Sequence, residues 1–216
     1  MITRLDAERQ KESFRSLIEM IASYGLFGTA GLILDAIHTK ARFSGARLVR
    51  RPAYVRGGRW IRLGQQFTSG RGLRMEAFGH LDQKTPLIRI GNNVQVNDYV
   101  HIAAVESVSI GDRVLIASRV FITDHNHGIY SGGELHTDPR ISPAQRALSS
   151  APVVIEEDVW IGESVSILPG VRIGKGAVIG TMSTVTRDVP EFSIAAGTPA
   201  KVVKQFSFDS CCWERV

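Results

Sequence analysis

Cysteine is nearly missing from this chain of 216 residues: the only two, Cys211 and Cys212, are adjacent. Neighbouring cysteines make poor disulfide partners, and two of them cannot frame a small secreted scaffold. A reducing compartment is therefore expected. No uninterrupted run approaches the roughly 20 apolar residues that cross a bilayer. The opening MITRLDAERQKESF is charged and holds no apolar core, so no secretory signal is read there. These absences describe a cytoplasmic globular protein with room for one substantial domain and an appendage.

Acidic residues are missing from one long stretch. Between Asp35 and Glu76 there is none, against ten basic residues: Lys40, Arg42, Arg47, Arg50, Arg51, Arg56, Arg59, Arg62, Arg71 and Arg74. A field of one sign favours an anionic partner. The segment matches no nucleic-acid-binding motif, so nucleic acid is not expected. Peripheral contact with the inner face of the cytoplasmic membrane through this basic N-terminal region is. Just before it, Phe14, Leu17, Ile18, Ile21, Leu32, Ile33 and Ile37 recur at helical spacing, and YGLFGTAG divides the segment into two helices.

What the chain has in quantity is a beat of six. Ile155, Ile161, Ile167, Ile173, Ile179 and Val185 are spaced six apart, and Val159, Val165, Val171, Ala177, Ser183 and Val189 follow each by four. Ile90, Val96, Ile102 and Val108 keep the same beat, which slips by two residues and resumes at Ile110, Ile116 and Ile122. A helix needs a period near 3.6 and a half-buried strand a period of two. Six fits a short strand and a turn, repeated, with three units closing one triangular coil of eighteen residues. Stacked coils bury an apolar axis that one coil cannot bury alone. Glycine is expected at the corners for its backbone freedom.

The stretch VWIGESVSILPGVRIGKGAVIGTMSTVTRDVPEFSIAAGTPAKVVKQF resembles the hexapeptide-repeat acyltransferases, the family of galactoside, maltose and serine acetyltransferases. The resemblance implies a mainly β fold: a left-handed parallel β-helix, assembled as a homotrimer with active sites between subunits. It implies acetyl-CoA as co-substrate. A narrower likeness, carried by YGLFGTAGL, RRPAYVRGG, FTSGRGLRMEAFG, VNDYVHIAAVESVSIGDRVLIASRVFITDHNHGIY and WERV, is to the O-acetyltransferases of bacterial O-antigen, lipopolysaccharide or capsule synthesis. The expected organisation is a helical segment over 1–45, the β-helix over 46–205 and a tail over 206–216. A loop leaves the coil over 128–152, where the beat fails and glycine, proline and serine gather.

Histidine is scarce, with six in all, yet VFITDHNHGIYSGG holds His125 and His127 beside Asp124. Moving an acyl group from a thioester to a sugar hydroxyl needs a base for the hydroxyl proton, and an imidazole with a reference pKa near 6.5 suits that work. By the resemblance, laid on without gaps, His127 is the base, His125 its alternate, and Asn97 contacts the acceptor. Asp124 is a candidate to orient an imidazole. The same likeness implies that Trp160 walls the pantetheine slot and that the Glu163 N–H faces the acyl oxygen. It places Thr181, Thr186, Arg187, Lys201 and Lys204 along acetyl-CoA, the last three as cations for its phosphates. The acidic N-terminal motif of the enzymes that use small free sugars is missing, so the expected acceptor is a lipid-linked or polymeric glycan, or its nucleotide-sugar precursor. Two rival readings use the same scaffold. One is a zinc enzyme of carbonic-anhydrase type through His101, His125 and His127, whose ligand spacing is not matched, so no metal is expected. The other is a trimer without catalysis.

Overall fold

A computed structural model describes residues 4–130 and 135–216, with side chains from residue 18 onward; the side chains of Phe14 and Leu17 and the excursion's residues 131–134 lie outside the described set. The repeat folds as read. Three parallel sheets form the faces of a triangular prism. The first coil runs through Leu48–Val49, Ala53–Arg56 and Ile61–Leu63, one strand for each face. Further coils stack on it in the same order as far as Thr184–Val185. The anchors sit in register between coils: Ile161 on Ile179 in the first sheet, Ile122 on Ile167 on Val185 in the second, Ile110 on Ile155 on Ile173 in the third. All are buried, and so are the residues four positions on from each, except after Ile122, where the chain leaves the coil and Asn126 is exposed. Each such aliphatic side chain contributes about 1.5–3 kcal/mol by leaving water. The chain thus adopts the left-handed β-helix of hexapeptide-repeat proteins.

Glycine turns some corners as expected, with φ of 72° at Gly72, 82° at Gly170 and 64° at Gly176, but it also has a second part. Many corners are turned by non-glycine residues in the left-handed region, among them Asn93, Tyr99, Arg113, Arg119, Asp158, Ser164 and Met182, with φ between 55° and 61°. The glycines after the anchors are needed for closeness. A Cβ on Gly111 would lie 2.6 Å from the Glu157 nitrogen, and one on Gly162 would lie 2.7 Å from the Thr181 nitrogen. Coils about 4.8 Å apart leave no room there for a side chain.

Both ends of the coil are closed. One helix, Arg4–Arg42, is broken at Gly25 (φ 69°, ψ 172°) inside YGLFGTAG. Its last turns pack on the first coil: the Val49 N–H donates to Thr39 Oγ1 at 2.8 Å, and Arg51 Nε donates to Asp35 Oδ1 at 2.7 Å. The helix is inside out. Thr29, Asp35 and Thr39 are buried, while Leu26 (70% exposed), Phe27 (96%), Ile33, Leu34 and Ile37 face outward. No uninterrupted apolar run reaches bilayer length, yet the 25-residue segment Ile18–Arg42, which holds an 18-residue stretch of mean hydropathy 1.5, is long and apolar enough to cross a membrane by length and composition.

At the other end the residues read as a tail are ordered. Ser193–Gly197 joins the first sheet, and Ala200–Ser207 and Cys212–Arg215 extend it antiparallel. Phe192, Phe206, Phe208 and Trp213 pack edge to face, with centroids 5.1–5.3 Å apart.

Candidate active site

The two-residue slip in the beat has a structural cause. Between His101–Ala104 and Val108–Ile110 the chain makes a wider corner, Val105 to Ser107. The carboxylate of Asp124, on the next coil, is fully buried and fills that corner. It accepts the N–H groups of Val105, Glu106 and Ser107 at 2.7–3.1 Å. It also accepts Nδ1–H of His125 at 2.9 Å. Burial works to raise this carboxyl's pKa, but His125 and the three amides more than reverse it, so it lies below the usual carboxylate range. An ionised Asp124 only accepts, so it holds an N–H at His125 Nδ1 and turns Nε2 away from the carboxylate. The His125 ring meets Phe78 edge-on at 6.0 Å, and its side chain is only 13% exposed.

Two residues on, His127 is exposed. The excursion is built more firmly than a plain loop. His125–His127 pairs antiparallel with Leu148–Ser150, and the Tyr130 hydroxyl donates to the His127 carbonyl at 2.6 Å while accepting Arg146 Nη1–H at 2.8 Å. The His127 backbone is thereby fixed at the corner where the chain leaves the coil, with its ring open to solvent. No side-chain hydrogen bond to that ring is found among the described residues.

The other expected residues divide by height along the prism. Trp160, 51% exposed, lies on the first sheet beside Leu115. The Glu163 carboxylate pairs with Arg119 from the coil before, and its N–H has no acceptor among the described residues. Thr181 follows Val178–Ile179 at the top of the first sheet, where Lys201 and Lys204 pair with Ala196 and Ile194. Thr186 and Arg187 follow Thr184–Val185 at the top of the second. Asn97 lies lower, at the corner between the first and second sheets, on a groove of about 490 Å³ that Tyr24, Arg47, Arg50 and Ser69 also line. His127 stands at the corner between the second and third sheets. One chain therefore does not bring Asn97 and His127 together.

The bacterial transferase hexapeptide model, of six repeats, matches residues 152–187. The chain is 44% identical to the protein named as lipopolysaccharide biosynthesis O-acetyl transferase WbbJ of Escherichia coli K12, over 92% of this chain and 99% of that one. It belongs to the hexapeptide-repeat acyltransferases. The galactoside O-acetyltransferase of the same organism is 38% identical over 56% of this chain and 55% of its own length. Among solved structures, the hexapeptide-repeat acetyltransferase VCA0836 of Vibrio cholerae shares 28% identity at a TM-score of 0.55, covering 68% of this chain and 74% of that one. That protein has also been solved with acetyl coenzyme A.

Within this hexapeptide-repeat acyltransferase, sequence reasoning missed one cluster. Glu76 is buried and accepts Arg74 Nε–H at 2.7 Å and His101 Nε2–H at 3.0 Å. The sequence offers His101 only as a candidate zinc ligand beside His125 and His127. Among the described residues no three His, Cys, Asp or Glu are grouped to hold a metal ion. The one available signal was the alternation of Arg74, Glu76 and Phe78 in RMEAF, which puts a carboxylate on the outer face of a strand.

Proposed function

We propose that the chain transfers an acetyl group from acetyl-CoA to a sugar hydroxyl of a bacterial surface-polysaccharide precursor, of O-antigen, lipopolysaccharide or capsule, in one ternary complex. The likeness to the lipopolysaccharide O-acetyl transferase, over nearly its whole length, carries this reading. His127 takes the hydroxyl proton as the sugar oxygen attacks the thioester carbonyl. The Glu163 N–H steadies the tetrahedral oxyanion. Collapse breaks the carbon–sulfur bond, and the departing thiolate takes the proton back from His127. His127 is preferred to His125 because the base must reach both substrates, and the His125 ring is enclosed by Asp124 and Phe78.

Asn97 and His127 meet in this mechanism across a subunit boundary, in a homotrimer whose contacts cover Trp160, Leu115 and Met182, all exposed in one chain. Incubation with radiolabelled acetyl-CoA and glycan fractions should label a glycan as an alkali-labile ester, from a protein that sediments as a trimer. Accumulation of acetylated protein without acceptor would overturn direct transfer.

The reading includes attachment to the inner face of the cytoplasmic membrane. An outward face of Leu26, Phe27, Ile33, Leu34 and Ile37, followed by exposed Arg42, Arg47, Arg51, Arg56 and Arg59, suits an anionic bilayer surface. The packing of Thr39 and Asp35 on the first coil favours lying on the membrane over crossing it. The protein should float with vesicles containing phosphatidylglycerol and not with phosphatidylcholine alone, and Phe27→Glu should abolish flotation. A variant that leaves flotation unchanged, or that instead breaks the trimer, assigns the face elsewhere.

A further inference from the structure

The positions matched to acetyl-CoA all lie on coils after His127. The coils before it carry a second constellation on the same sheet. Register sets Arg74, His101 and Phe121 side by side on successive coils, with Glu76, Ala103 and Thr123 as the next row. Tyr54 and Arg56 extend both rows one coil further. Glu76, Ala103 and Thr123 are buried and make a floor, flanked by the tilted His101–Phe121 ring pair and the Phe78–His125 pair.

The protons on this face can be placed. Burial works to raise the Glu76 carboxyl, but hydrogen bonds from Arg74 and His101 outweigh it and hold it below the usual range. An ionised carboxylate only accepts, so the His101 proton lies on Nε2. Burial, with the positive Arg74 and the nearby His125, lowers His101 below the ordinary histidine value against the pull of Glu76. The ring is thus neutral near pH 7, with a lone pair on Nδ1. That atom has no partner among the described residues, and the His101 side chain is 31% exposed. His125 turns the other nitrogen, Nδ1, to its own carboxylate, Asp124.

We infer that the Glu76–His101 pair is a hydroxyl-binding subsite for the acceptor, in which His101 Nδ1 accepts an O–H of a polyhydroxylated sugar and positions the ring for acetylation. The inference rests on the acetyl-transfer reading and adds a residue to it. Its cause is chemical: a sugar hydroxyl needs an acceptor, and a buried carboxylate that claims the other imidazole nitrogen guarantees one. His101 is a positioning residue and takes no proton in the reaction.

Two variants test it, with the glycan fraction labelled by the wild-type protein as the varied substrate. His101→Phe keeps a ring against Phe121 and removes both nitrogens. His101→Gln sets an amide where Nε2 stands, so that an N–H still reaches Glu76, and leaves no acceptor at the Nδ1 position. Both should raise the acceptor KM about tenfold, as the loss of one hydrogen bond requires. In both, kcat should stay within about twofold and the acetyl-CoA KM should not move. An unchanged acceptor KM in either variant overturns the subsite, as does a fall in kcat that leaves that KM alone. Should His127→Ala abolish transfer while these variants behave as wild type, only this inference fails. Should the wild-type protein label no glycan, the acetyl-transfer reading fails with it.

Discussion

Replacing His127 by alanine should lower acetyl transfer by about 10²–10⁴-fold, the range for a lost general base, and should leave thermal unfolding and assembly unchanged. The ring is exposed, and its backbone is fixed by the pairing with Leu148 and by the Tyr130 hydroxyl, so truncation at Cβ disturbs no packing. The loss falls in kcat and in kcat/KM alike, because the proton moves only in the transition state. His125→Ala makes the control. It removes the partner of Asp124 and the edge contact with Phe78, so its effect should be smaller on turnover and visible in stability. Initial rates with saturating acetyl-CoA, beside calorimetric unfolding of both variants, separate the two. If His125→Ala abolishes turnover while His127→Ala retains it, the Asp124–His125 pair is the base and its carboxylate, and the role assigned to His127 passes to it.

The fold was legible because its signal is periodic. Each anchor from Ile155 to Val185 faces the axis on successive sides of the prism, and the spacing of six records that geometry directly. The corners were less legible. A left-handed backbone at Tyr99 or Met182 follows from the hydrogen bonds of stacked coils, such as the Tyr99 N–H to the Arg71 carbonyl and the Met182 N–H to the Glu163 carbonyl, and leaves no mark in residue type. Residues 206–216 read as a tail because Cys212–Arg215 has no repeat to belong to and finds its partner only in Ala200–Ser207. For the candidate site, DHNH showed two imidazoles gathered beside a carboxylate. The division of labour among Asp124, His125 and His127 did not show, because it depends on which ring a buried carboxylate captures. The Glu76–His101 pair was hidden for the same reason: its members are 25 residues apart and meet only across stacked coils.

Asp124→Ala should be the most destabilising single change near the site, at about 3 kcal/mol or more. The side chain is buried without exposure, and its loss leaves the Val105, Glu106 and Ser107 N–H groups and the His125 Nδ1–H without their acceptor. Asp124→Asn keeps the shape but turns an amide N–H₂ toward donors, so it should recover only part of that loss. The sign of the pH dependence follows from the lowered carboxyl. A group whose folded pKa lies below its unfolded value, near 3.9 for aspartate, contributes its full stabilisation above that unfolded value. The contribution is lost as pH falls through the folded pKa, where the native carboxylate is protonated. Urea unfolding at fixed protein concentration should therefore show the largest gap between wild type and Asp124→Asn at neutral pH, with the gap narrowing below about pH 4. A constant gap across that range would mean that the loss is one of packing and that the charge contributes nothing. If the gap closes as expected, the corner from Val105 to Ser107 is held by an ionised carboxylate, and the segment that carries His127 away from the coil starts from that anchor.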